Sequence, residues 1–425
     1  MQDIQMKSIE EIQEYQHKAL ARQLKYLQDR SPFYRELFSS HGINIDDIMT
    51  VSDLARIPTT TKEDMSARNW DFQCVPRTEV IDNATTSGTM GKPVTIALTE
   101  SDLDRLALNE AQSFSIAGGM SSDVYQLMVT MDRQFMAGLA YFSGIRKLGA
   151  GAIRIGPASP QAQWESISQY HPNAIIVVPS FILKLIAYAE ANDISLNDSG
   201  IEKAICIGEP IRNADLTDNA LAGRIKEKWD IKLYSTYAST EMQTAFTECE
   251  HSLGGHLQPD LLIVEILDEN GMQMKPGEIG EVTITTLGVT GMPLLRYRTG
   301  DICCMYIEPC PCGRNTLRLS PVVGRKNQMI KYKGTTFFPA AIFEALQMVP
   351  QVTDYLVEVS KDQWGNDDIT IHLHHTGNDH LIMESLERNL KAKAKAVPTL
   401  NFISVEQVQI LKNSGGRKPV SIIFK

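Results

Sequence analysis

The sequence predicts an α/β protein: a large N-terminal domain of α/β sheets with a small β subdomain, followed by a small C-terminal α+β domain. Three observations carry this. Between residues 103 and 207, short apolar runs of strand type alternate with longer amphipathic runs of helix type. From Leu261 onward, strand-type runs follow one another directly. After Gly324-Arg325 the order restarts as strand, helix, strand, strand, helix, strand. With 425 residues, 43% of them hydrophobic, the chain can build more than one core. The boundary is placed at Lys326-Asn327, giving domains 1–326 and 327–425.

Each element has a local reason. Residues 8–30 carry Ile12, Tyr15, Ala19, Leu24 and Leu27 at helical spacing, and Ser31-Pro32 ends that helix. Ile57-Pro58-Thr59-Thr60-Thr61-Lys62-Glu63-Asp64 reads as a loop running into an N-capped helix. Val94 to Leu98 alternates like a strand. Leu103–Ala117 and Phe135–Leu148 read as helices, and Val124–Met131 and Ile153-Arg154-Ile155 as strands. Ile175 to Val178 is a buried strand, followed by a helix from Phe181 to Glu190 and a strand from Lys203 to Ile207. Such alternation implies a sheet covered on both faces, with ligands gathering at the carboxyl ends of its strands. Gly208-Glu209-Pro210 and Tyr234 to Glu241 lie at such ends. Leu262–Leu267, Gly280–Thr286 and the run after Leu295 form the β subdomain.

Composition excludes several classes. The net charge of −10 disfavours nucleic acid or an anionic membrane as main partner. The stretch Ala174–Ala189 is broken by Pro179, Ser180 and Lys184, so no membrane span is expected. The amino terminus lacks the apolar core of a secretory signal, and seven cysteines suit a reducing compartment, so a cytoplasmic location is expected.

The densest chemistry lies in Thr85-Thr86-Ser87-Gly88-Thr89-Met90-Gly91-Lys92-Pro93. Its glycines permit a sharp turn with bare N–H groups, and its hydroxyls and Lys92 add donors and a cation, the combination that phosphate oxygens need. Two residues between the glycines and Pro93 after the lysine distinguish it from a Walker A loop. An ordinary Ser/Thr/Gly hairpin would share this composition.

Taken with Ser31-Pro32-Phe33-Tyr34, Ile57 to Asp64, Gly208-Glu209-Pro210, Tyr237-Ala238-Ser239-Thr240-Glu241, Tyr297-Arg298-Thr299-Gly300-Asp301, Gly324-Arg325 and Phe337-Phe338-Pro339, the loop completes a pattern. In order and spacing the chain resembles the adenylate-forming superfamily of acyl-CoA synthetases, in particular its phenylacetate-CoA ligase-like branch. The resemblance covers nearly the whole chain. It implies ATP-dependent activation of a carboxylic acid, phenylacetate-like by default, as an acyl-adenylate with release of pyrophosphate. Transfer to coenzyme A would follow, after rotation of a mobile C-terminal lid about a hinge near Lys326-Asn327.

The resemblance also implies roles. Ser87, Gly88, Thr89, Gly91 and Lys92 would hold the ATP phosphates. Gly208, Glu209 and Pro210 would lie along the adenine, with Tyr237 stacked on it and Ala238 beside the acyl group. Thr240 would bond the α-phosphate, Glu241 would bind Mg²⁺, Asp301 would accept the ribose hydroxyls, and Arg325 would reach the ribose or phosphate edge. The catalytic lysine of the terminal turn corresponds to Lys418, or in a different register to Arg417. Glu209 equally suits a carboxylate at a helix start, and Asp301 a turn. The branch usually has glycine at the position of Ala238, and often an aspartate pair at Asn327-Gln328. Phe135 and Met136 could line the acyl pocket or the core. The branch tends to form homodimers.

Cys249, His256, Cys310 and Cys312 offer four sulfur and nitrogen ligands, as tetrahedral Zn²⁺ requires, and some members of the branch carry matching residues. His251 is the rival histidine. The site would be structural, with free thiols as the plain alternative. Cys303-Cys304 suit a core strand, and His372, His374 and His375 a solvated face. Two other functions stay open: an adenylate-binding sensor without turnover, and transfer to a carrier-protein thiol.

Overall fold

The computed structural model describes residues 4–86, 93–332, 335–361, 367–413 and 420–425. The chain divides into two compact units, Met1–Val322 and Val323–Lys425.

The first unit opens on the helix Ile9–Arg30, started by a capping box between Ser8 and Glu11. Its buried face holds Ile12, Ala19, Leu20, Leu24 and Leu27, whereas Tyr15 is exposed. Gln16 takes a buried place because its amide nitrogen donates to the carbonyls of Pro259 and Leu262, both at 3.1 Å. Ser31-Pro32 ends this helix and at once starts another, Pro32–Ser40, with proline in the first turn and the Ser31 hydroxyl accepting from the Tyr34 amide. Sequence reading missed that second helix.

The parallel sheet is as the alternation implies. Gly151–Ile153, Val124–Leu127, Ala174–Val177, Lys203–Cys206 and the start of Lys232–Ser239 lie side by side in that order. The strands Ala174–Val177 and Lys203–Cys206 are buried throughout, because helices cover both faces. Pro179–Ala191 begins at its proline, and Gly151–Ile153 falls slightly before the position expected from sequence. The strands from Leu262 onward are no separate body. Leu262–Leu267, Ile279–Thr286 and Tyr297–Tyr306 pair antiparallel, and Arg318–Leu319, Gly255–His256 and Thr244–Thr247 join them to Lys232–Ser239 in one hydrogen-bonded path.

The strands Asp82–Thr85 and Thr95–Leu98 pair antiparallel on either side of the glycine-rich loop. No described helix is long and apolar enough to cross a membrane.

The second unit contains the antiparallel pair Val352–Lys361 and Asp367–His375, flanked in parallel by Ile422–Phe424 and Thr399–Phe402. The helices Pro339–Gln347 and Asp379–Ala394 pack Ile342, Leu346, Ile382, Leu386 and Leu390 into its core. The hairpin Ile330–Tyr332/Thr335–Phe337 and the helix Val405–Asn413 were not anticipated. The expectation of a solvated histidine face fails at His375, whose side chain is 6% exposed and meets Phe402 edge-on at 4.5 Å.

Candidate functional site

Three chain segments converge at the carboxyl ends of the parallel strands. Lys203–Cys206 runs into Gly208, which adopts φ +76° with open space around it, so glycine is required there by the backbone turn rather than by crowding. Glu209 follows, and its two carboxylate oxygens accept from the Ser180 amide and hydroxyl, both at 2.9 Å. It thereby satisfies a free N–H at the start of the helix Pro179–Ala191. Asn219 donates to the Pro210 carbonyl at 2.8 Å and closes the loop from below.

The second segment is the hairpin Lys232–Ser239/Thr244–Thr247. Tyr237 faces Phe246 across it, with ring centroids 5.8 Å apart and planes 23° from parallel. One face of Tyr237 is thus occupied by Phe246. Ala238 is exposed, and the turn that follows carries Thr240 and Glu241. The Ser239 hydroxyl and carbonyl hold that turn by accepting from the Met242 and Gln243 amides. Gln243 adopts φ +50°, and its buried side-chain amide has no hydrogen-bond partner.

The third segment is Tyr297–Tyr306. Asp301 is buried there, and its Oδ2 accepts from the Tyr237 hydroxyl at 2.8 Å. Burial first, then the Asp301 charge, holds the Tyr237 phenol protonated far above its ordinary range. Thr60 lies beside this strand: its amide donates to the Arg296 carbonyl at 2.9 Å, and its carbonyl accepts from the Arg298 amide at 2.8 Å. Thr61 then caps Lys62–Arg68, with Asp64 completing the capping box. That places the Lys62 ammonium 3.8 Å from Glu241 Oε1. Lys62 was not singled out in the sequence, although the Thr-Thr-Thr-Lys capping signal marks the start of its helix.

Tyr237 shares a small cavity of about 20 Å³ with Phe246, Glu248, Gly255 and Leu319. A larger open cavity of about 610 Å³, lined by Tyr26, Arg30 and Thr290 among others, shares no residue with these segments. Arg325 is exposed and belongs to the second unit. Ser87, Gly88, Thr89, Gly91, Lys92, Arg417 and Lys418 lie outside the described residues.

Directly behind the hairpin, Cys249, His256, Cys310 and Cys312 bring their ligand atoms within 4.8 Å of one another. Cys249 and Cys310 sulfurs are 3.6 Å apart, and Cys312 Sγ lies 3.5 Å from His256 Nε2. The other imidazole nitrogen meets the Thr316 hydroxyl at 3.0 Å, which fixes the ring and leaves Nε2 facing the sulfurs. Burial, and then the Arg314 and Arg318 charges, hold His256 down at about 3, so the ring is neutral with a lone pair available. Burial pushes the Cys249 thiol up to about 12. His251 is exposed beside Glu250 and takes no part. Three sulfurs and a neutral imidazole, all buried except the half-buried Cys312, fit a tetrahedral zinc site. The N-terminal segment covers the cysteine loop: Gln5 accepts from Arg314 Nε at 3.0 Å and from the Asn315 amide at 2.9 Å.

A sheet whose strand ends present a backbone loop, an aromatic ring, a hydroxyl and two carboxylates is an arrangement common to ligand-binding α/β enzymes. The chain belongs to the family of AMP-binding enzymes, whose model matches residues 39–292, more than half of its length. It is similar to the phenylacetate-coenzyme A ligase of Thermus thermophilus, with 29% identity over 81% of this chain and 77% of that protein. It is also similar to the phenylacetate-coenzyme A ligase of Aromatoleum evansii, with 28% identity over 85% and 81%. Among solved structures, a 2-hydroxyisobutyryl-CoA ligase in complex with 2-HIB-AMP matches with a TM-score of 0.83 at 20% identity, covering 96% of this chain and 89% of that one. An anthranilate CoA ligase in complex with anthranoyl-AMP matches with a TM-score of 0.59 at 16% identity, over 83% and 71%.

Proposed function

We propose that the protein is an ATP-dependent, AMP-forming acid–thiol ligase. It joins a carboxylic acid, aromatic and phenylacetate-like by its resemblance to phenylacetate-coenzyme A ligases, to coenzyme A. The observation that carries this is the Tyr237–Asp301 pair, whose Tyr237 strand runs beside the strand leading into Gly208–Pro210; Tyr237 and Gly208–Pro210 lie inside the segment that matches the AMP-binding family, and Asp301 nine residues beyond its end. Asp301 is the carboxylate that would accept the ribose hydroxyls, and the Tyr237 hydrogen bond holds its orientation. The exposed backbone at Gly208 and Pro210 suits the flat face of a purine. Thr240 supplies a hydroxyl for the α-phosphate. Glu241, already facing one cation in Lys62, is the carboxylate that would hold Mg²⁺. Mg²⁺ would offset charge on the phosphoryl oxygens as the substrate carboxylate displaces pyrophosphate.

In this reading Ser87 to Lys92 hold the outgoing phosphates and Lys418 reaches the reacting carboxylate. Arg325 serves the ribose or phosphate edge. Lid rotation lets one site serve both half-reactions. The cysteine–histidine cluster holds structural zinc. A cytoplasmic location and homodimeric assembly complete the proposal.

The test is pyrophosphate release by the purified protein with ATP and Mg²⁺, across a panel of carboxylic acids, with and without coenzyme A. Release that depends on one acid and yields its CoA thioester supports the ligase. A CoA-independent adenylate passed to a carrier-protein thiol redirects the second half-reaction. AMP binding without turnover for any acid overturns the ligase in favour of a sensor.

A further inference from the structure

The four-ligand cluster and the small cavity beside Tyr237 share their walls. Glu248 precedes Cys249 in the chain, and Gly255 precedes His256; both line the cavity beside Tyr237. Leu319 lines it too, and it pairs with Gly255 while Arg318 pairs with His256. The strands that make these pairs, Gly255–His256 and Arg318–Leu319, are two residues long. Pairs this short do not hold their register by backbone hydrogen bonds alone.

The wall is also tightly fitted. A Cβ at Gly255 would lie 2.9 Å from Phe246 Cβ, and one at Gly254 would lie 2.7 Å from the Leu319 carbonyl oxygen. Small shifts of this strand therefore move Phe246, on which Tyr237 stacks.

Glu248 extends the linkage to the other side of the site. Its carboxylate accepts from the Ser235 amide at 3.1 Å and from Arg212 at 3.1 Å. Arg212 also donates to Ser252 at 2.8 Å and to the Leu233 carbonyl at 3.0 Å. It stands two residues after Pro210, so the loop expected along the purine is tied through one buried guanidinium to the turn that carries Cys249.

We propose that metal bound by Cys249, His256, Cys310 and Cys312 fixes the packing behind Tyr237 and the Arg212 tie to the Gly208–Pro210 loop, so that metal occupancy governs affinity for AMP. This rests on the nucleotide-binding reading above. A metal crosslink here joins segments 61 residues apart, Cys249 to Cys310, and clamps the two-residue strands between them. Without it, Glu248, Gly255 and Leu319 lose their fixed spacing, and Tyr237 and Arg212 lose theirs in turn.

The experiment uses the full chain. Metal content is measured by mass spectrometry. AMP is titrated calorimetrically into zinc-loaded protein, into protein stripped with a chelator, and into stripped protein re-supplied with zinc. Circular dichroism follows the fold. Coupling between sites in proteins commonly changes affinity by roughly 5- to 150-fold, so stripping is expected to weaken AMP binding by roughly tenfold, with recovery on adding zinc. A folded, stripped protein with unchanged AMP affinity overturns the proposal, as does failure to take up zinc.

If stripping unfolds the chain, Thr316→Val decides. It keeps all four ligands and removes the imidazole's second partner, which is expected to weaken zinc binding by roughly tenfold. AMP affinity of this variant should then track zinc concentration; affinity that ignores it overturns the proposal. Wild-type protein that takes up zinc and does not bind AMP overturns this proposal and the nucleotide reading together. AMP binding that is indifferent to zinc overturns this proposal alone.

Discussion

Tyr237 donates its phenolic hydrogen to Asp301 Oδ2 at 2.8 Å, joining two strands whose residues stand 64 positions apart in the chain. The bond gives a buried carboxylate a fixed direction. Tyr237→Phe keeps the ring and its stacking on Phe246 but removes the donor. Hydrogen bonds to charged groups contribute about 1.5–3 kcal/mol, so AMP affinity is expected to fall by at least roughly tenfold. Asp301→Ala is expected to lose more. Calorimetric titration with AMP checks both, and a Phe variant that binds like wild type would make Tyr237 a core residue only.

Glu241 and Lys62 face each other at 3.8 Å with both side chains partly buried. A partly exposed pair at that distance contributes under about 1 kcal/mol to stability. Glu241→Gln should therefore leave the thermal midpoint nearly unchanged while lowering Mg²⁺-dependent pyrophosphate release by roughly 100-fold, which corresponds to about 2.7 kcal/mol in the barrier. Lys62→Met should lower the half-saturating Mg²⁺ concentration by roughly two- to fivefold, because the ammonium no longer competes for the carboxylate. Equal thermal and kinetic losses in Glu241→Gln would assign the residue to folding.

Glu209 has a structural task visible in its two bonds to Ser180. Removing a helix cap costs about 1 kcal/mol. Glu209→Ala should lower the urea midpoint accordingly, while AMP affinity changes by less than roughly threefold, since in the proposed reading the loop would offer backbone, not this carboxylate, to the purine. A large loss of AMP affinity at unchanged stability would instead place the carboxylate on the ligand.

Glu110 is a pH-sensitive element of the fold. Burial raises its carboxyl to about 8, against which the Asn109 hydrogen bond acts weakly. Between pH about 4.5 and 8 the folded chain keeps a proton that the unfolded chain releases. Stability is therefore fully present below that window and falls as pH rises through it. Glu110→Gln, which keeps an oxygen for the Asn109 amide, should stabilise the large unit by about 1–3 kcal/mol at pH 7 and by much less at pH 5. Urea unfolding at the two pH values measures the difference; a gain that is equal at both would exclude ionisation as the cause.

Much of the fold was legible because its signals are local. The capping boxes at Ser8 and Thr61 are short sequence patterns, and so is the proline that opens Pro179–Ala191. The all-apolar runs at Ala174–Val177 and Lys203–Cys206 announce strands covered on both faces. Where local signals compete, reading failed. Ser31-Pro32 serves equally as a stop and as a start, and only packing of Phe33, Tyr34 and Phe38 into the core selects the second helix.

The site divides in the same way. Gly208-Glu209-Pro210, Tyr237 to Glu241 and Asp301 were recognisable as short motifs, and so were the three cysteines and His256. That Tyr237 reaches Asp301, that Lys62 faces Glu241 and that Arg105 ties the Leu287, Gln243 and Leu261 carbonyls together were not. Nor was the choice of His256 over His251, which follows from one residue lying on a buried strand and the other on an exposed turn.

By itself the sequence determined the class of fold, the family and the chemical vocabulary of the site, because these are written in periodicity, turn residues and motif order over short spans. Tertiary structure alone decided the partners. The parallel register that sets Lys203–Cys206 beside Lys232–Ser239 brings the first two segments of the site together, and the antiparallel path returning through Tyr297–Tyr306 adds the third. Contacts between residues so distant in the chain depend on strand order and burial, which no single segment encodes.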